Sequence, residues 1–520
     1  MQIHLLSIGV TFIVLYVKKD NKKTEPSPPS TPIPPPTAKP SGSVLGVYGS
    51  AGVATDNELC SSIGRDTLLK GGNAVDAAIA ALLCIGVMDT HSTGLGGGHF
   101  MIRSTKSCHV VDAAYRAPLS ATKDMYDNNV NASWNGWLAI CTPGEIAGLW
   151  TEYTNFGGNI PWKDIVQPTV DLVENGYPVT SALADALNTY PDDVKKYLPT
   201  LVNPETGNVY QEGDRIKTRY NYSKNPSFDE YVEHFHHFIE ASKFAFAWRN
   251  LLADMDFLKN ATDIAHHIAS KTWADNVRSK ITDRAHNDSY YYGDVGAYAY
   301  SDRHGTTHVT VIDKEGNAVS VTATINLYFG SRRESPSTGI IWNDEMNDFS
   351  VPNQPNAFGN DEMNDFSVPN QPNAFGLPPT PWNYIQGGMR PMSQTSALVI
   401  YNEYDEKEVM AVGAAGGSNI ISATANIVWN ALYFNRNVKE AIEMPRIHNQ
   451  LFPNETDYEH ELPKEYVDAL KARGHNMVEM GYESVATAIR RQVNYDGPKN
   501  QTVYANSDWR KGYESQCAGY

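Results

Sequence analysis

Apolar residues run almost unbroken through "GGNAVDAAIAALLCIGVMDT" from Gly71, and this density of Ala, Ile, Leu and Val predicts a buried helix over about Asn73 to Met88. "STGLGGGHFMIRS" follows, a glycine turn feeding a strand. A phosphate-cradling loop would leave a strand and open a helix, so the reversed order argues against nucleotide binding. Between Glu145 and Tyr197 the pattern is mainly helical, and "YVEHFHHFIEASKFAFAWRNLLAD" reads as a long amphipathic helix. From Thr307 the character changes to short β-rich runs, "HVTVID", "AVSVTATI", "SALVIYN" and "EVMAVGAA", followed by helical "SATANIVWNALYF" and "VKEAIEM". Strands flanked by buried helices on one chain predict a layered α/β sandwich.

The N-terminus stands apart from this pattern. "IHLLSIGVTFIVLYV" is apolar for roughly 15 residues, short of the about 20 that span a bilayer, and is followed by "KKDNKK" without a small-residue cleavage site. Residues 1–18 therefore read as a membrane anchor or signal-anchor, with a signal sequence as the other reading. Residues 19–43, rich in Pro and Ser from Thr24, read as an extended stalk, so that folded sequence starts near Val44. Six N-x-S/T sequons, at Asn131, Asn221, Asn260, Asn287, Asn454 and Asn500, fit a glycoprotein of the secretory route in that setting.

The 520 residues could hold two or three domains or one large sandwich, and a hydrophobic content of 41% supplies a substantial core. A net charge of −17 argues against nucleic acid, which demands a concentrated excess of Lys and Arg. The five cysteines, Cys60, Cys84, Cys108, Cys141 and Cys517, include no CxxC pair and leave at least one thiol unpaired within the chain. His234, His236 and His237 invite a metal, but no second ligand cluster stands near them, so no metal or cofactor is expected. "NDEMNDFSVPNQPNAFG" occurs twice, at 343–359 and 360–376, and identity at every position marks a duplication rather than a structural repeat.

The segment "GTTHVTVIDKEGNAVSVTATINLYFG", Gly305 to Gly330, carries Thr306, Thr307, His308, Gly316, Thr322, Thr324, Asn326, Phe329 and Gly330 in the order that gamma-glutamyltransferases use. The chain resembles that family from about Val53 to Tyr520. The resemblance implies a four-layer αββα sandwich of the N-terminal nucleophile hydrolase type, made of a large chain, 44–305, and a small catalytic chain, 306–520, produced by self-cleavage between Gly305 and Thr306. The chemistry explains the cut: a threonine hydroxyl needs an adjacent base, and the α-amine exposed by cleavage, with a reference pKa of about 7.7 to 8.0, supplies one. A glycine before the threonine lets the backbone reach the strained geometry of the attack.

The same resemblance assigns roles. Gly416 and Gly417 in "GAAGGSN" are the oxyanion hole, and Thr324 holds the nucleophile's rotamer. Asn326, Glu345 and Asp348 accept the substrate α-amine, and Ser393 binds its carboxylate. The duplicated segment offers Glu362 and Asp365 as a second pair, and continuity with Gly330 favours the first copy. Lys511 sits in the family's basic position, and Cys60 and Cys84 stand at the spacing of a family disulfide. The implied substrates are glutathione and γ-glutamyl conjugates, with water, amino acids or dipeptides as acceptors, on a single-pass plasma-membrane protein facing outward, or a secreted one.

Three departures qualify the picture. The family's D-x-R-E-x-A-P, whose arginine pairs with the substrate carboxylate, is "DAAYRAP" here, so Ala114 stands at the arginine position and Arg116, two residues on, lies on the same strand face but displaced by roughly 6.6 Å, either as the substrate-binding cation or as a surface arginine. Gln394 replaces the second serine of a Ser-Ser pair and keeps an amide donor. After Tyr220 a helix-strand-helix segment is missing, which would expose apolar faces and strand edges. A catalytically dead splice or gene-model variant acting as a binding or decoy protein is accordingly one alternative; a related acylase on another amide is another.

Overall fold

The computed structural model describes residues 41–104, 108–123, 125–126, 130–203, 206–212, 254, 276–277, 280–281, 284–285, 304–334, 340–349, 383–391, 393, 395–401, 408–451, 454–493, 501–512 and 515–520. The apolar N-terminal run, most of the stalk, the long amphipathic helix with its three histidines, the boundary after Tyr220, Gln394 and the whole second copy with Glu362 and Asp365 lie outside the described residues.

Six strands form the first sheet. In chain order all the strands of the described residues are β1 (Gly46–Tyr48), β2 (Gly52–Ala54), β3 (Gly98–Ser104), β4 (Cys108–Ala113), β5 (His304–Ile312), β6 (Ala318–Leu327), β7 (Leu398–Tyr401), β8 (Val409–Ala415), β9 (Ile447–His448), β10 (Thr456–Glu459), β11 (Met477–Met480), β12 (Val485–Val493), β13 (Gln501–Ser507) and β14 (Cys517–Gly519). The first sheet runs β14-β2-β5-β6-β3-β4, a second runs β1-β13-β12-β8-β7, and β11-β10-β9 make a small third. The helices are α1 (Glu58–Leu69), α2 (Ala74–Met88), α3 (Glu145–Asn155), α4 (Trp162–Asn175), α5 (Ser181–Thr189), α6 (Pro191–Tyr197), α7 (Asn419–Val428), α8 (Val438–Glu443) and α9 (Lys464–Ala472).

Helix α2 is the buried helix that the sequence predicts. Asn73 caps it by accepting from the backbone of Val75 and Asp76, and the Asp76 side chain accepts the Asn73 N–H in return. Its alanines and isoleucine pack under Val309, Val311, Val319 and Val321 of the first sheet. Alternation along β5 then sends Thr306, His308, Thr310 and Ile312 to the opposite face. There Ile312 meets Ala411, Ile489 and Val503 of the second sheet, Thr310 Oγ1 lies 3.3 Å from Thr487 Oγ1, and a Cβ on Gly413 would sit 2.2 Å from His308 Cε1. Helices α7 and α8 close the far side, with Ile420, Ile427 and Ile442 against Val412, Ala414 and Ala488. The order helix, sheet, sheet, helix is the four-layer sandwich expected.

One detail departs from the sequence reading, and the disulfide that the resemblance implies is present. Ser41 and Ser43, assigned to the stalk, are buried, because their hydroxyls bond the interior Lys439–Glu443 ion pair. Cys60 and Cys84 are joined by a disulfide that ties α1 to α2. Among the described residues no group of three or more His, Cys, Asp or Glu could hold a metal ion, and no helix is long and apolar enough to cross a membrane.

His99 on β3 fastens α3 to the first sheet: its ring nitrogens lie 2.8 Å from Glu145 Oε2 and 2.8 Å from Glu152 Oε1, and all three groups are buried. Burial disfavours the imidazolium, but the two carboxylates outweigh it and raise the pKa well above the ordinary value. A raised folded pKa contributes stability that is complete below the unfolded value and is lost as pH rises through the folded one. His99→Leu strands two buried carboxylates and is expected to cost about 3–5 kcal/mol. Thermal melts from pH 5 upward check this: the wild type should lose part of its advantage over the variant as pH rises, and a constant gap contradicts the assignment.

Candidate active site

Thr306 lies on the inner face of β5, 7% exposed. Its cross-strand partner is Thr324, while the next pair is Gly305 with Asn326, so Ile325 is an extra residue on β6. This β-bulge throws Asn326 into the left-handed region at φ +76°. The strain expected at the glycine is thus found across the ladder, on an asparagine, one of the residue types that tolerates it. Gly305 meets a different need, close approach: an added Cβ would lie 2.8 Å from the carbonyl oxygens of His91 and Leu327.

The bulge leaves the Gly305 carbonyl free of the ladder and facing hydroxyls. Thr306 Oγ1 donates to it at 2.8 Å and Thr324 Oγ1 at 2.5 Å, and the two hydroxyl oxygens are 3.2 Å apart. Asn326 N–H donates to Thr324 Oγ1 at 2.8 Å, which occupies a lone pair and turns the Thr324 proton toward Gly305. The Thr306 hydroxyl therefore stands beside the carbonyl of the peptide bond that precedes it, and a second hydroxyl polarises that same carbonyl.

Lys511 closes the site from behind. Its ammonium lies 3.4 Å from Thr306 O, 3.1 Å from Ser92 Oγ, 3.2 Å from Asp89 and 3.5 Å from Asp56. Asp56 also accepts the Thr307 hydroxyl at 2.6 Å. Burial opposes the charge on Lys511, yet Asp89 and Asp56 outweigh it and raise its pKa. The turn Trp509–Lys511 is capped by Asp508, whose carboxylate pairs with Arg446 and Arg510. Beside it, His91 is fully buried with neither ring nitrogen hydrogen-bonded among the described residues, and burial together with Lys511 pushes its pKa well down, so it is neutral.

Strand β8 passes Ile312 at Ala411 and His308 at Gly413, and so points its end at Thr306. Gly416 and Gly417 follow at φ +125° and +53°, and their carbonyls accept from Asn419 and Ile420 at the start of α7. Only glycine adopts such a pair at low cost, and the positive end of α7 adds to the field of their N–H groups.

Glu345 and Asp348 belong to a single 3-10 turn, where residues three apart eclipse. Asp344 Oδ1 accepts Leu327 N–H at 3.1 Å, and Asn343 Nδ2 donates to Gly96 O at 2.7 Å, which fixes this turn against the end of β6 and beside Asn326. Glu345 is fully buried, with neither carboxyl oxygen hydrogen-bonded among the described residues; burial first and Asp348 second push its pKa well above the carboxylate range. Such a group calls for a cation or a proton. Ser393 reaches the same place through Tyr115, whose hydroxyl is 2.9 Å from Ser393 Oγ and feels both carboxylates. The structure so gathers Thr306, Thr324, Asn326 and Ser393 with Glu345 and Asp348 of the first copy of the repeat. Arg116 is placed otherwise: it is exposed, and its guanidinium donates to Gly388 O at 3.1 Å. Adjacent residues of an extended segment face opposite ways, and the one turned inward is Tyr115. Sequence reasoning passed over Tyr115, His91, Asp56 and Asp89, of which only Tyr115, inside the departing "DAAYRAP", left a trace.

A family model described as Gamma-glutamyltranspeptidase matches residues 60–225, 204–360 and 359–517; one of its breaks falls at the junction of the two repeat copies. The chain is 32% identical to Scoloptoxin SSD14 of Scolopendra dehaani, covering 91% of this chain and 93% of that protein. It is 31% identical to Glutathione hydrolase 2 of Arabidopsis thaliana, covering 90% and 94%. A cephalosporin acylase from Bacillus halodurans shares the fold, with a TM-score of 0.68 at 19% identity over 97% of this chain and 99% of that one.

Thr324→Val keeps the side-chain shape and removes the donor to Gly305 O. It is expected to slow self-cleavage about 100-fold, the usual loss for one oxyanion donor. A pulse-chase gel measures the rate, and cleavage at the wild-type rate would remove Thr324 from the chemistry.

Proposed function

This chain belongs to the gamma-glutamyltranspeptidase family, and from that premise we propose that it is a self-cleaving glutathione hydrolase and γ-glutamyl transferase with Thr306 as nucleophile. The observation that carries the reading is the Thr306 hydroxyl, 2.8 Å from the carbonyl oxygen of Gly305, with Thr324 on the same oxygen.

In the precursor, Thr306 Oγ attacks the Gly305 carbonyl carbon, the bond to Thr306 N breaks as the hydroxyl proton passes to that nitrogen, and an ester joins Gly305 to the threonine oxygen. Water hydrolyses that ester, leaving a carboxylate on Gly305 and a free α-amine on Thr306. The amine then takes the hydroxyl proton as Oγ attacks the γ-carbonyl of the donor. The protonated amine returns that proton to the leaving amine as the donor's amide bond breaks, and a γ-glutamyl ester remains for water, an amino acid or a dipeptide. Lys511 beside the Thr306 backbone disfavours a charged α-amine and so favours its free-base form. The N–H groups of Gly416 and Gly417 receive the oxyanion, and Glu345, Asp348 and Asn326 receive the donor's ammonium. The ammonium supplies the positive charge that the buried Glu345 lacks.

We also infer an outward-facing, membrane-anchored or secreted, glycosylated enzyme. The Cys60–Cys84 disulfide supports an oxidising compartment. Thr306→Ala is expected to remain one chain on a denaturing gel and to release nothing from a γ-glutamyl anilide; two chains from that variant would contradict the assignment.

A further inference from the structure

Tyr115 occupies the glutamate position of the D-x-R-E-x-A-P stretch, next to the alanine that replaces the arginine. Its ring is 1% exposed, so the phenol is held by packing rather than by solvent. Ala117, Tyr126, Met346, Phe349 and Met389 form the cluster that grips it. The hydroxyl lies 2.9 Å from Ser393 Oγ. It also faces the Glu345 carboxyl, in a contact outside full hydrogen-bond geometry.

The phenol therefore stands between the serine and the carboxyl group that flank opposite substituents of an amino acid α-carbon. We propose that Tyr115 is a specificity-determining residue of this chain, donating its O–H, together with Ser393, to the α-carboxylate of the γ-glutamyl donor. The claim rests on the γ-glutamyl reading above and adds to it the group that receives the carboxylate.

The chemistry follows from what each group can do. A phenol is both donor and acceptor, while a carboxylate accepts only. With the pocket free of substrate, the Tyr115 hydroxyl bonds Ser393 and faces the Glu345 carboxyl without a full hydrogen bond to it. An arriving ammonium takes the acceptor capacity of Glu345 and Asp348. The phenolic proton and that of Ser393 are then free to turn to the carboxylate carried on the same carbon. Neutral donors tolerate the neighbouring Glu345 and Asp348 without an added ion pair, which suits a stretch that places alanine where a cation is expected.

Three anilides separate the recognised groups: L-γ-glutamyl, 4-aminobutyryl, which lacks the carboxylate, and glutaryl, which lacks the amine. In the full-length, self-cleaved enzyme, Tyr115→Phe is expected to lower the ratio of kcat/KM for γ-glutamyl over 4-aminobutyryl about tenfold, the effect of one hydrogen bond to a charged group. The ratio of γ-glutamyl over glutaryl is expected to hold, since both carry the carboxylate. Tyr115→Gln keeps a donor and is expected to retain more of the first ratio than Tyr115→Phe does; it also serves where the phenylalanine variant matures poorly. A first ratio that stays at the wild-type value in both variants, or a fall confined to the second ratio, overturns the proposal alone. A wild-type enzyme that releases nothing from the γ-glutamyl anilide overturns the γ-glutamyl reading and this proposal with it.

Discussion

The fold converges on one carbonyl. Gly305 O receives the hydroxyls of Thr306 and Thr324 because a bulge across the ladder removes it from the sheet's own hydrogen bonding. A regular register would pair that oxygen with a backbone N–H on β6 and leave both hydroxyls to other partners. The cost sits on Asn326 at φ +76°, and its N–H in return orients Thr324. Strain, orientation and reactivity are thus three consequences of a single extra residue in β6.

Burial supplies the second theme. Lys511 stays charged inside the protein because Asp56 and Asp89 flank it, and those carboxylates in turn fix the ends of the loops that lead into α1 and out of α2. Glu345 is the opposite case, a buried carboxyl without a hydrogen-bond partner among the described residues. A closed ion network fixes structure, whereas an unsatisfied buried group marks a place for a ligand. The first situation is found beside the Thr306 backbone, the second on the turn that packs against the end of β6.

Much of this was legible in the chain. Apolar density without a break pointed to α2, and short β-rich runs pointed to β5, β6, β7 and β8, because residue type within each run favours one local structure. Thr306, Thr324 and Asn326 were legible through the resemblance of one contiguous stretch. Glu345, Asp348 and Ser393 came from that resemblance too, since nothing local distinguishes them from surface polar residues. Tyr115 was not legible: which of Ala114, Tyr115 and Arg116 turns inward depends on the register of the segment against Thr142 and Met389, not on residue type. The bulge between Gly305 and Thr306, and the pairing of Lys511 with partners more than 400 positions earlier, likewise arise only when distant strands meet.

Every role assigned to Thr306 requires that the protein break its own peptide bond between Gly305 and Thr306. N-terminal sequencing and intact mass of the purified mature protein test this most directly. The expected result is a small chain of residues 306–520 that begins with an unmodified threonine, accompanied by a larger chain that ends in glycine. A protein that hydrolyses γ-glutamyl donors as a single uncut chain, or whose small chain begins at any other residue, would contradict it.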